Sequence, residues 1–322
     1  MNKSLISIVC PFYNAANYLK ECIDSIRNQK AYSWELILVD DGSTDSSKDL
    51  AESYTKKDSR IKLFRIDNSG TLFARNYGIQ QATGEYITFL DSDDSLNINA
   101  LSVLSNELKN NVDAIVFNLR VFGAEGVRSK QLASFNQKTI ISEDKNVINE
   151  LFIKSNFGYG LCGCLFKKDL FSFMNLEDNR RMRYSEDMLI AYGVFKRANS
   201  VLLLPDFLYN YRMNSNSVTH NLTPNDYFDR FQVFSKIYNN IDSQYSIIEN
   251  ISTHVFWGFF NYVTFAPKNE KYTNYKKRCL EILNDDFYKK YIKKLHYESR
   301  KVRLTKLFLN HKLFWFSYLF NK

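Results

Sequence analysis

The stretch Glu85-Tyr86-Ile87-Thr88-Phe89-Leu90-Asp91-Ser92-Asp93-Asp94 constrains the fold of this chain more than any other. Residues 86 to 90 are aromatic, β-branched or Leu with little alternation. A strand buried on both faces of a parallel sheet has that pattern, and Gly84 ahead of it supplies a turn. The strand then ends in three carboxylates within four residues. In open α/β sheets, ligands bind beyond the carboxyl ends of such strands. Crowded carboxylates stay ionised together only when a cation or many hydrogen-bond donors neutralise them, and a hard divalent ion carrying phosphate oxygens does this. Acids also suit the start of a helix, and Asp94 or Ser95 could cap one beginning near residue 97.

The rest of the N-terminal half repeats the unit. Residues 5 to 10 form a short β-rich run closed by Pro11-Phe12-Tyr13-Asn14, and Tyr18, Leu19, Cys22, Ile23 and Ile26 recur at helical spacing, predicting a helix over 15 to 29. A second strand, 35 to 39, empties into Asp40-Asp41-Gly42-Ser43-Thr44-Asp45 before a helix over 45 to 56. A third strand over 61 to 66, a helix over 71 to 82, the acid-tipped strand over 85 to 91, a helix near 98 to 109 and a strand at 114 to 118 follow. This alternation predicts an α/β protein with a parallel, doubly wound sheet. Beyond residue 120 the pattern loosens: a helix at 145 to 154, a helix opening near Ser185-Glu186-Asp187, and two short strands at 200 to 204 and 208 to 213. From residue 225 the spacing is helical and aromatic-rich, which puts a domain boundary near 220 and a helical region over 221 to 322.

Hydrophobic content of 45% with 24% charged residues marks a globular chain. Five cysteines at no framework spacing fit a reducing cytoplasm, and the Cys162-x-Cys164 pair lacks the further Cys and His ligands that zinc needs. The opening run is too short for a secretory leader, and no run reaches the ~18 apolar residues of a membrane span. The net charge of +8 is local: residues 288 to 322 hold ten Lys or Arg against one acid, so the remaining 287 residues carry a net charge of −1. That distribution, without stacking motifs, argues against a nucleic-acid binder.

In a parallel sheet, the strand ends at 11 to 14, 40 to 43 and 91 to 94 converge on one edge, where they supply what a nucleoside diphosphate needs. The first turn with Tyr13 can hold a base, and a carboxylate can accept from the base N–H or the ribose hydroxyls. Asp91 and Asp93, two apart on an extended segment, can address ribose and metal, and Arg75 offers a fork suited to phosphate. Either Asp40 or Asp41 could face the base.

These residues resemble a known family. Val39-Asp40-Asp41-Gly42-Ser43-Thr44-Asp45, then Asn68-Ser69-Gly70 with Ala74-Arg75-Asn76-Tyr77-Gly78, then Gly84 to Asp94 with its D-x-D segment look like the inverting glycosyltransferases of family 2, of GT-A fold. The resemblance covers residues 4 to 220. It implies a UDP-sugar donor with Mn²⁺ or Mg²⁺ at Asp93 and Asp91, and it groups Pro11, Tyr13, Asn14, Asp40, Asp41, Asn68, Arg75, Asp91, Ser92 and Asp93 around the nucleotide. Glu186-Asp187 is similar to the family's acid pair at the head of a helix, whose Asp is the general base. Tyr209-Asn210-Tyr211-Arg212 with Ser217-Val218-Thr219 resembles a segment that closes over the diphosphate, which adds Arg212 and Ser217. The expected acceptor is an oligosaccharide or a polyprenyl-diphosphate-linked saccharide at the inner membrane face.

The tail interleaves its cations with Leu, Phe, Trp and Tyr, a composition suited to an anionic membrane surface or, alternatively, to a core helix. Two other classes share parts of the pattern. A nucleotidyltransferase also uses clustered acids on an α/β sheet but carries a Gly-rich basic loop after the first strand, where this chain has Pro11 to Asn14. A non-catalytic membrane-surface module of this fold has no need for the full set of acids.

Overall fold

The computed structural model describes residues 5–30, 33–122, 137–142, 161–174, 185–213, 222–239, 261–264, 266–290 and 300–321. The chain divides into two compact units, one of Met1–Met182 with Glu186–Ser215 and one of Arg183–Ser185 with Asn216–Lys322.

In the first unit β1 (Ile6–Phe12), α1 (Leu19–Arg27), β2 (Trp34–Asp40), α2 (Ser47–Thr55), β3 (Ile61–Arg65), α3 (Thr71–Gln81) and β4 (Tyr86–Phe89) follow the predicted alternation. After them come β5 (Ser95–Leu96), α4 (Ala100–Glu107), β6 (Ala114–Phe122), β7 (Thr139–Ser142), β8 (Cys164–Lys167), α5 (Glu186–Phe195) and β9 (Ser200–Arg212). The sheet order is β3-β2-β1-β4-β8-β6-β9-β5, with β7 also paired to β9.

Every residue of β1, β2 and β4 is buried, as their unalternating sequences require. Each large apolar side chain there contributes about 1.5–3 kcal/mol by leaving water. On one face α1 lays down Leu19, Cys22, Ile23 and Ile26 at i, i+3, i+4 and i+7. On the other face α3 packs so closely that a Cβ at Gly78 would lie 2.5 Å from Val9 Cγ1. Only glycine allows that approach.

Two features depart from expectation. The parallel arrangement holds for β3-β2-β1-β4, but β8 runs antiparallel to both β4 and β6, so the far half of the sheet is mixed. The two short strands expected at 200 to 204 and 208 to 213 are one strand, β9. Pro205, which has no N–H to give, is absorbed where the β6–β9 register shifts on either side of Asn118, and the Asn118 amide donates to its carbonyl at 2.8 Å. The helix expected at 145 to 154 lies outside the described residues.

In the second unit, the described helices include α6 (Pro224–Asn239), α7 (Tyr272–Asn284), α8 (Asp286–Lys290), α9 (Arg300–Asn310) and α10 (Phe314–Asn321). Its core uses tyrosines whose hydroxyls find partners: Tyr275 meets Ser317 Oγ at 2.7 Å, and Tyr318 donates to the Glu270 carbonyl at 2.9 Å. Among the described residues no helix is long and apolar enough to cross a membrane.

Candidate active site

Parallel pairing of β1, β2 and β4 puts their carboxyl ends side by side, and hydrogen bonds fasten the loops that follow. Asn14, in the left-handed region at φ 49, accepts from Thr44 N–H at 2.8 Å, while its own N–H donates to Ser43 Oγ at 3.0 Å. The turn after β1 is thus joined to the Asp40–Asp45 loop. Tyr13 stays exposed at its tip.

Asp40 is fully buried and accepts from Ser43 N–H at 2.8 Å, with Arg65 NH1 3.3 Å from its other oxygen. Asp41 accepts from the N–H groups of Ser69 and Gly70 at 2.7 and 3.0 Å and so holds the start of α3. Gly42, at φ 77, brings the loop within van der Waals contact of Asn68, whose N would be 3.0 Å from an added Cβ. The helix-start role of Asp41 was not legible in the sequence, because Ser69 lies 28 residues away.

Beyond β4 the acids have different surroundings. Asp94 is buried, accepting from Tyr209 OH at 2.6 Å and from Arg212 N–H at 2.7 Å. Asp91 accepts from Arg75 at 2.7 Å and from the Cys162 thiol at 3.3 Å, and its N–H donates to Tyr209 OH at 3.2 Å. Tyr209 therefore ties together both ends of the acidic turn. Ser92 and Asp93 are half-buried between them. No side chain among the described residues donates to the Asp93 carboxylate, and burial followed by repulsion from Asp91 pushes it up to about 6.

The arginines hold the site together. Arg75 is 4% exposed, and its fork grips Glu186 at 2.6 Å on one side and Asp91 at 2.7 Å on the other. Burial opposes its charge, yet Asp91 and Glu186 hold it well above the usual guanidinium range. Arg212 donates to the Asp93 carbonyl at 2.8 Å and to Glu21 at 2.5 Å, and it lies over the rings of Phe122 and Tyr18 at 4.4 and 5.2 Å. Both guanidiniums, expected beside phosphate, are thus engaged by protein acceptors.

Glu186 and Asp187 open α5. Burial pushes Glu186 up to about 7 against the pull of Arg75, and burial likewise raises Asp187, which accepts from Met188 N–H at 2.8 Å. Repulsion from Asp187 adds to the rise of Glu186 and is secondary to desolvation. Ser217 lies outside the described residues. Tyr209 and Cys162 were missed as individual site residues. The Tyr209-Asn210-Tyr211-Arg212 segment pointed to the first, and no sequence signal pointed to the second.

The donor set fits a hard divalent ion that keeps outside ligands. Asp91 and Asp93 offer oxygens, and the nearby Arg212 charge draws the Asp93 carboxyl down less than burial and Asp91 raise it. Among the described residues no group of three His, Cys, Asp or Glu could cage an ion by itself. Such an ion would need further oxygens, as from a diphosphate.

A model of the family described as glycosyl transferase family 2 matches residues 7–172, about half of the chain. The chain belongs to glycosyl transferase family 2. It is 33% identical over 223 residues to EpsJ, an uncharacterized glycosyltransferase of Bacillus subtilis, covering 67% of this chain and 63% of that one. It is 30% identical over 227 residues to the glycosyltransferase GlyG of Streptococcus pneumoniae, covering 66% of this chain and 72% of GlyG. Relative to EpsJ, the matched stretch spans under two thirds of the relative's length. Among solved structures, S. aureus TarS 1–349 in complex with UDP-GlcNAc superposes with a TM-score of 0.70 at 19% identity, over 98% of this chain and 90% of that one. The family 2 chain therefore has the GT-A fold, with its acids at the strand ends where the parallel half of the sheet terminates.

Proposed function

We propose that this chain is a metal-dependent inverting glycosyltransferase that moves a sugar from a UDP-sugar to a saccharide acceptor in cell-surface polysaccharide synthesis, the acceptor being carried on a polyprenyl diphosphate at the inner membrane face. The observation that carries this function is the Arg75 bridge, which places the Asp91–Asp93 turn and the Glu186–Asp187 pair on two sides of one guanidinium.

In this mechanism the exposed ring of Tyr13 and the welded loops at Asn14 and Asp40–Asp45 receive the base, and Asp91 addresses the ribose. Asp93 and Asp91 would hold Mn²⁺ or Mg²⁺, which when bound supplies neutralising charge to the diphosphate. Asp187 accepts the proton of the acceptor hydroxyl as that oxygen bonds to the anomeric carbon. The bond from carbon to diphosphate breaks on the opposite face, UDP leaves with the electron pair, and the centre inverts. A raised proton affinity suits Asp187 to this role. Arg75, held through both terminal nitrogens by Glu186 and Asp91, keeps the base and the acidic turn in register; it supports the site more than it contacts the leaving group.

A donor complex in TarS and the named activity of GlyG support a nucleotide-sugar donor. The test is radiolabelled sugar transfer from UDP-sugars to a lipid-linked acceptor with and without Mn²⁺, run beside calorimetry of UDP. Absence of both UDP binding and transfer across common donors would refute the proposal.

A further inference from the structure

The last helix is built inside out. At ~100° per residue, Trp315, Phe316, Leu319 and Phe320, with Leu313 just ahead of α10, fall within one arc of roughly 160°. All five are between 43% and 59% exposed. The opposite arc is Phe314, Ser317, Tyr318 and Asn321, all buried, and it carries the helix's hydroxyls and its amide. Ser317 meets the Tyr275 hydroxyl at 2.7 Å, Asn321 donates to the Ser317 carbonyl at 2.9 Å, and Tyr318 packs on the rings of Tyr275 and Tyr272. A helix of a water-soluble surface has the reverse arrangement.

The apolar surface continues onto α9. Phe308 has its ring 6.2 Å from Phe316 and 5.8 Å from Phe320, and Leu307 beside it is exposed. Cations accompany it in the sequence: α9 contains Arg300, Lys301, Arg303 and Lys306 and no acid, the side chains of Arg303 and of Lys312 in the turn before α10 are exposed, and α10 itself has no charged residue.

We propose that this face is a bilayer-insertion surface: the Leu313–Phe320 arc enters the headgroup–acyl boundary of an anionic membrane, and the cations of α9 and the turn meet its phosphates. Two observations favour lipid over a second copy of the chain. Six half-exposed large side chains present on the order of 500 Å², short of the ~800 Å² per partner of a stable dimer. The stretch from residue 300 to 321 holds cations and no acid, so two copies would repel while anionic headgroups attract. The inference deepens the membrane-face part of the proposed function and is independent of the donor chemistry.

The experiment compares the full chain with Phe316→Ser/Phe320→Ser, which leaves the buried arc intact, by sedimentation with vesicles of phosphatidylcholine alone or mixed with phosphatidylglycerol. The native chain should bind the mixed vesicles, less so in high salt, and the variant should partition at least ~tenfold more weakly. Circular dichroism and the melting curve check that the variant is folded, and UDP calorimetry on both proteins reports the donor site separately. Equal binding of variant and native chain, or no binding by the native chain, would overturn the insertion surface. A native dimer that the variant dissociates would reassign the face to self-association. Loss of UDP binding with vesicle binding retained would count against the donor-site assignment and leave this one standing.

Discussion

The guanidinium of Arg75 lies 2.6 Å from the carboxylate of Glu186, a residue 111 positions away, and both side chains are buried. The same guanidinium holds Asp91 at 2.7 Å, so a single cation joins the acidic turn after β4 to the acid pair that opens α5.

Removing that cation leaves buried acids uncompensated. Arg75→Met should destabilise the fold by about 3–5 kcal/mol, the usual effect of breaking a buried pair from one side. Arg75→Met/Glu186→Gln should recover part of the loss, because the stranded charge is gone. Urea denaturation measures both, and a loss below ~1 kcal/mol in the single variant would mean that Glu186 is already neutral there.

Asp187→Asn separates turnover from binding. As general base, Asp187 contributes ~10²- to 10⁴-fold, so transfer should fall at least by the lower figure. UDP affinity in the presence of Mn²⁺ should change by less than about tenfold, or 1.4 kcal/mol. Near-native transfer would place the base elsewhere, and a collapse of affinity would make Asp187 a binding residue.

Asp93→Asn keeps the shape of the turn and removes a charge that burial and Asp91 oppose. Because no side chain among the described residues donates to that carboxylate, the melting temperature should hold or rise. Ion-dependent UDP binding should weaken by more than ~tenfold in calorimetry run with Mn²⁺ and again with chelator. Unchanged ion dependence would remove Asp93 from the metal site.

At the opposite end of the sheet, Glu35 gives the fold an acid limb. Burial alone would raise its carboxyl, but hydrogen bonds from Lys62, Ser7 and Thr83 prevail and hold it at about 2, against an ordinary 4.5. A folded value below the unfolded one means that the stabilisation is complete above about pH 4.5 and is lost as pH falls towards 2. The amount is about 3 kcal/mol. Glu35→Gln should flatten stability over that window and leave its slope above pH 5 unchanged, which urea titrations at stepped pH would show.

Local pattern by itself determined the parallel half of the fold and the placement of its acids. Unalternating apolar runs such as Tyr86 to Leu90 can be satisfied only between two layers of helices, and strands of that kind paired in parallel must bring Pro11–Asn14, Asp40–Asp45 and Asp91–Asp94 to one edge. The helical spacing of Leu19 to Ile26 likewise needed nothing beyond the sequence.

Tertiary structure decided which acid does what. Asp91, Asp93 and Asp94 are the same residue type within four positions, yet one pairs with Arg75, one has no side-chain donor among the described residues and one is buried on Tyr209. Those partners lie 16 and 115 residues away, beyond the reach of any local pattern. The same holds for β8, which enters between β4 and β6 and turns a parallel sheet mixed, and for β9, where a register shift at Asn118 carries a strand through Pro205. In the tail, composition showed cations and aromatics but not which side of α10 would be covered. Packing of Tyr318 and Ser317 against Tyr275 settled that, and with it left the apolar arc facing outward, because a helix of eight residues can turn only one side to its neighbours.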